Sequence, residues 1–107
     1  MDRKKTEIIA LLEKFFIKAE KVARIEKVIL FGSQATGKDT SNSDIDIMII
    51  SEDFKNKKSY KRAPQFYLLW DLPYDGDIIC LTPEEFEKKK KQIGVVKTAV
   101  EEGIVVK

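Results

Sequence analysis

Two short stretches hold the residues best suited to chemistry. The first is Leu30-Phe31-Gly32-Ser33. Ten residues later comes Asp44-Ile45-Asp46, which opens the apolar run Ile47-Met48-Ile49-Ile50. Side chains alternate faces along a strand, so Asp44 and Asp46 are expected on one face and Ile45, Ile47 and Ile49 on the other. Two carboxylates this close repel each other unless something positive stands between them. A hard divalent cation held through oxygens is the usual answer. A Gly-Ser turn, with backbone N–H groups and a hydroxyl, suits a phosphate. The pairing points to metal-assisted phosphoryl or nucleotidyl transfer.

The same stretch contains a competing pattern. Gly32-Ser33-Gln34-Ala35-Thr36-Gly37-Lys38 matches the start of a phosphate-binding P-loop. That motif continues with Ser or Thr and then a helix. Here Asp39 follows, a carboxylate where a phosphate would sit, and the polar residues 40–43 lead into a strand pattern. The P-loop reading fails on context.

Composition narrows the chemistry further. The chain has 107 residues, of which 43% are apolar and 36% charged. That length fits one domain, expected to span residues 1–107, with enough apolar material for one core. A net charge of +2 is too small to argue for nucleic acid or a membrane surface. There is no histidine, which removes Ser-His-Asp triads, His-based proton transfer and His-ligated zinc. Any metal must be held by oxygens. Cys80 is the only cysteine, so an internal disulfide is impossible and a cytoplasmic setting is expected. No apolar run reaches membrane-spanning length, and the start of the chain does not read as a signal peptide.

Several elements must position these groups. Residues 6–23 place Ile8, Leu11, Leu12, Phe15, Ala19 and Val22 at helical spacing, with charges on the other face. Residues 26–31 read as a strand ended by Gly32. Residues 34–37 are a short helix or turn, and residues 38–43 are polar and turn-like. Residues 44–50 form the second strand. A basic loop, 51–63, precedes Pro64 at a helix start, after which Phe66, Leu69 and Trp70 share a face up to Leu72-Pro73. Residues 77–81 form a third strand with Asp77 at its entrance. Thr82-Pro83-Glu84-Glu85 is a capping box whose helix runs to about residue 93. A last helix over 95–102 turns Val96, Ala99 and Val100 inward, with Gly103 as its cap and residues 104–106 extended. Without long α/β alternation, the expected fold is α+β: a small mixed sheet with helices packed mainly on one face.

With these residues in place, the chain resembles the DNA polymerase β-type nucleotidyltransferase superfamily. It is most similar to the minimal nucleotidyltransferases (MNT) described as the antitoxin half of HEPN/MNT pairs. The resemblance rests on the spacing of Gly32-Ser33 to Asp44 and Asp46. It also rests on the segment 66–73 followed by an acidic strand and Leu81-Thr82-Pro83-Glu84-Glu85-Phe86. It implies a third carboxylate on the next strand. Asp77 matches, and Asp75, in the turn, is its competitor.

The resemblance also implies roles. Gly32 lets backbone approach a triphosphate, and Ser33 donates to its phosphates. Asp44, Asp46 and Asp77 hold two Mg²⁺ ions, with Asp77 helping to deprotonate an acceptor hydroxyl. The implied reaction moves a nucleotidyl group, AMP from ATP, to a partner protein, with a HEPN toxin as the leading acceptor (AMPylation). The competing hypothesis is a binding module of the same fold that neutralises its partner by contact alone. A homo-dimer or hetero-oligomer is expected, with the apolar tail 104–106 as one contact. Lys88 to Lys91 reads as a solvated face, and Phe66, Tyr67 and Trp70 as core before adenine platform. The basic loop residues Lys55, Lys57, Lys58, Lys61 and Arg62 could reach a triphosphate or partner.

Overall fold

In the computed structural model, residues 3–36 and 44–107 are described. The expected turn over residues 38–43 lies outside them, as does Gly37. The elements run α1 (Arg3–Ala19), β1 (Lys27–Phe31), α2 (Ser33–Thr36), β2 (Ile45–Ile50), α3 (Pro64–Tyr67), β3 (Gly76–Leu81), α4 (Pro83–Lys89), α5 (Val95–Glu102) and β4 (Ile104–Val105). Two 3₁₀ turns, Glu52–Phe54 and Ser59–Lys61, lie between β2 and α3. The sheet order is β3-β2-β1-β4. β1 pairs antiparallel with β2 and β4, while β2 and β3 are parallel. This is the small mixed α+β sheet that the sequence predicts.

The strands form where β-branched residues cluster, and the alternation of β2 decides which face meets what. Ile45, Ile47 and Ile49 are fully buried with Val28, Leu30, Ile78 and Cys80 against α1 and Phe66 of α3. This is the larger core. Phe15 packs edge-to-face on Trp70, and Phe54 does the same on Phe66. Beyond Asp46, however, the opposite face of β2 is apolar too. Met48 and Ile50, with Ile29 and Leu81, are covered by Phe86 of α4 and by Val96 and Ala99 of α5. α4 and α5 therefore close one half of that face.

Several expectations shift in detail. α1 ends at Ala19, so Val22 is exposed while Ala23 and Ile25 are buried after the turn. Phe16 is buried, although the helical pattern did not single it out. α3 is one turn long. Leu69 and Trp70 continue it with i→i−3 bonds rather than as a helix. α4 stops at Lys89, leaving Ile93 exposed, and Val100 of α5 also faces outward. The apolar tail is not free: Ile104 and Val105 pair with β1, and Ile104 and Val106 pack against the larger core.

Arg62 is the clearest correction. It is a buried strut instead of a free cation of the basic loop. Its Nε donates to the Lys57 carbonyl at 3.0 Å and its Nη1 to the Cys80 carbonyl at 3.2 Å. Its fork also holds Glu85, at 2.6 and 3.2 Å. Glu85 is the same residue that closes the capping box with Thr82 at the start of α4. One ion pair thus ties the loop, the edge of β3 and α4 together. The guanidinium holds the Glu85 carboxyl below its ordinary range. That stabilisation is present above the ordinary carboxylate pKa and fades as pH falls through the lowered one. Arg62→Ala is expected to cost about 2–3 kcal/mol, discounted because Glu85 is partly exposed. Thermal denaturation checks this through a fall in Tm of roughly 10 °C or more. Arg62→Lys should recover only part, since one ammonium cannot hold both Glu85 oxygens and the Cys80 carbonyl.

Candidate active site

β2 and β3 run parallel in a register that sets Asp46 directly opposite Asp77. On its other side Asp46 stands opposite Phe31, the last residue of β1. Side chains of paired residues share a face. Asp46 and Asp77 therefore project together from the half of the sheet that α4 and α5 leave uncovered. Asp44 lies just ahead of β2 and is exposed. Asp75 stays out of this pair. It precedes β3, and its backbone carbonyl accepts from the Ile45 N–H at 2.8 Å. Of the two candidates, Asp77 is the one that stands opposite Asp46.

The Gly32 turn arrives at the same point. Gly32 follows Phe31 with φ +76, a left-handed conformation that costs any residue with a Cβ. A Cβ built on it would run into the Asp46 carboxylate. Glycine is thus required twice, by the backbone turn and by the closeness of the carboxylate. Ser33 begins the single turn of α2, in which the Ala35 N–H donates to the Gly32 carbonyl. Lys5 of α1 donates to the Ala35 carbonyl at 2.8 Å and anchors the turn from outside. Nothing in the residue pattern marked Lys5, because its partner is a backbone carbonyl thirty residues away.

The electrostatics follow from this crowding. The Asp46 carboxyl is pushed up to about 6. Burial contributes most, followed by the charges of Asp77 and Asp44 and a hydrogen bond to the Asp77 carboxyl. With no cation beside it, the Asp46 carboxyl holds its proton to a higher pH than an ordinary aspartate. An all-oxygen donor set of this kind suits a hard divalent ion. Among the described residues no three such groups already stand together at ligand spacing. The arrangement is a registered pair with Asp44 as a third charge beside it. A concavity of about 480 Å³ lies elsewhere, where α1 ends, lined by Lys21, Arg24 and Asp53 among others. It contains none of these carboxylates.

Phe66 and Trp70 are accounted for by packing. Phe66 is fully buried. Trp70 lies over Gly76, where a Cβ would meet its ring at 2.6 Å, and its indole N–H donates to the Tyr74 carbonyl at 2.7 Å. It fixes the turn that delivers Asp77. Lys90 pairs with Glu87 and lies over the Phe86 ring, while Lys88, Lys89 and Lys91 are exposed.

Known proteins share the family and the fold. Residues 9–106 match the nucleotidyltransferase domain family. The chain belongs to that family. A protein from Sulfolobus solfataricus, named a "putative nucleotidyltransferase", has the same fold with a TM-score of 0.70 and 20% identity. The alignment covers 94% of this chain and 80% of that one. A toxin-antitoxin structure solved with AMP-PNP is similar with a TM-score of 0.54 and 23% identity. It covers 89% of this chain and 72% of that one. No curated protein sequence matches significantly.

Two outcomes follow. Asp46→Asn removes a carboxylate whose ionised form the fold disfavours. Below about pH 4 both residues are uncharged and nothing changes, whereas above the raised pKa the charge cost is fully present. In metal-free protein at pH 7 the substitution should therefore stabilise by about 1 kcal/mol after allowing for solvent screening. Melting curves at pH 7 and pH 4 check this: the gain should be present at the first and gone at the second. Gly32→Ala should destabilise by about 1–2 kcal/mol from the backbone alone. As the new methyl displaces the carboxyl, Asp46 should also titrate closer to its ordinary range, measurable by carboxyl-carbon NMR.

Proposed function

We propose that the chain, as one minimal nucleotidyltransferase domain, transfers AMP from ATP to a hydroxyl of a partner protein, acting in the cytoplasm as an antitoxin. The observation that carries this reading is the meeting of Asp46, Asp77 and the Gly32 turn at one open end of the sheet, in a chain of the nucleotidyltransferase domain family. The fold neighbour solved as a toxin-antitoxin complex with AMP-PNP supports ATP as the nucleotide and a toxin as the partner. A HEPN-family protein is the partner we favour. No helix among the described residues is long and apolar enough to cross a membrane.

In the proposed reaction the acceptor oxygen bonds to the α-phosphorus. The bond from that phosphorus to the bridging oxygen of the β-phosphate breaks, and pyrophosphate leaves. Asp44, Asp46 and Asp77 would hold Mg²⁺, which when bound neutralises the triphosphate and the leaving pyrophosphate. Asp77, the most accessible member of the registered pair, would accept the hydroxyl proton. Gly32 leaves backbone accessible to the phosphates, and Ser33 is assigned to bind them. The half of the face that α4 and α5 do not cover is where an acceptor carried on another protein would approach.

The test combines Mg²⁺, labelled ATP and the product of the neighbouring gene. Label should pass to that protein with the wild-type chain and fall at least about a hundredfold with Asp44→Ala plus Asp46→Ala. Transfer that survives the double substitution would remove the assigned site. A stable complex with no transfer at all would favour a binding module that acts by contact.

A further inference from the structure

We propose that Tyr67 is a positioning residue for Asp77, acting through the backbone of β3. The inference rests on the reading of Asp46 and Asp77 as groups that bind a divalent cation. The Tyr67 hydroxyl accepts a hydrogen bond from the Ile78 N–H at 2.9 Å. That N–H belongs to the peptide joining Asp77 to Ile78. β3 is an edge strand, paired with β2 on one side only. The ladder therefore fixes Asp46, in the interior strand β2, from both sides, and Asp77 from one.

An edge N–H is ordinarily left to water or to a stray strand. Here a side chain from outside the sheet holds it. The peptides ahead of Asp77 are held as well, by Trp70 against Gly76 and by the indole N–H on the Tyr74 carbonyl. Tyr67 completes the clamp on the following side. Tyr67 as a whole residue is 44% exposed and lies outside both core clusters, and its hydroxyl is the group that reaches β3. A carboxylate that must meet its partner within fractions of an ångström depends on the orientation of its own peptide. Releasing the Ile78 N–H lets that peptide rotate.

Tyr67→Phe removes the acceptor and keeps the ring. Three measurements on the metal-free protein and its Mn²⁺ titration decide the matter: amide hydrogen exchange at Ile78, Mn²⁺ affinity by electron paramagnetic resonance, and melting temperature. The expected result is Ile78 exchange faster by about tenfold or more, Mn²⁺ affinity weaker by about five- to tenfold, and a Tm within about 2 °C of wild type. Unchanged Mn²⁺ affinity would overturn the positioning role while leaving the metal-binding reading intact. A wild-type chain that binds no Mn²⁺ would overturn both. A general rise in exchange across β3 with a lowered Tm would make Tyr67 merely structural and overturn the proposal too.

Discussion

The constraint on which the rest depends is the parallel pairing of β2 with β3, which holds two carboxylates opposite each other. Like charges at cross-strand distance, about 5 Å, repel by roughly 1–3 kcal/mol after screening. Nothing in the strands themselves relieves that. Asp46 is half-buried, and its carboxyl keeps its proton to a higher pH than usual as a result. The fold accepts the cost because the same two strands bury Ile45, Ile47, Ile49, Ile78 and Cys80 on the reverse face. Fully burying one large aliphatic side chain contributes about 1.5–3 kcal/mol, so a few of them outweigh the repulsion. The acids can be held together because their backbone is anchored from behind.

The division of the upper face follows from residue type along β2. Alternation polar-apolar holds through Asp46 and then stops, with Met48 and Ile50 apolar where a solvated face would be polar. These two residues need cover, and Phe86, Val96 and Ala99 supply it. The boundary between Asp46 and Met48 is thus both the edge of a hydrophobic patch and the rim of the candidate site. α4 and α5 do not reach past it. Among the described residues no helix covers the site, because the apolar surface that would recruit one ends there.

Much of this was legible in the sequence, for identifiable reasons. The three longer strands and the capping box are local signals, written in β-branched runs and in Thr82 to Glu85. Gly32 and Asp46 were readable from strand alternation and motif spacing, whereas Asp77 came from the family resemblance and only the register of β2 with β3 sets it opposite Asp46. Arg62 was not readable, since a buried arginine looks like any other basic loop residue until the partners that bury it are known. Its carbonyl acceptors, Lys57 and Cys80, leave no mark in the pattern. The inward facing expected of Val22 and Val100 was misjudged for a related cause: both keep the helical period in the sequence, yet among the described residues nothing buries them.

Placing one acid on an edge strand creates a second requirement. Strand β3 has ladder bonds on one side only, and its outward-facing backbone groups would be open to water or to another strand. The structure closes part of that edge with side chains from the segment between β2 and β3. The Tyr67 hydroxyl takes the Ile78 N–H, and the Arg62 guanidinium takes the Cys80 carbonyl. A fifth strand could have done the same by pairing, but it would have extended the sheet beside Asp77 and narrowed access to the carboxylates. Side-chain caps satisfy individual backbone groups while adding no further strand. The connection between β2 and β3 is therefore more than a crossover. It stiffens the edge that carries one of the two carboxylates without adding a strand beside them.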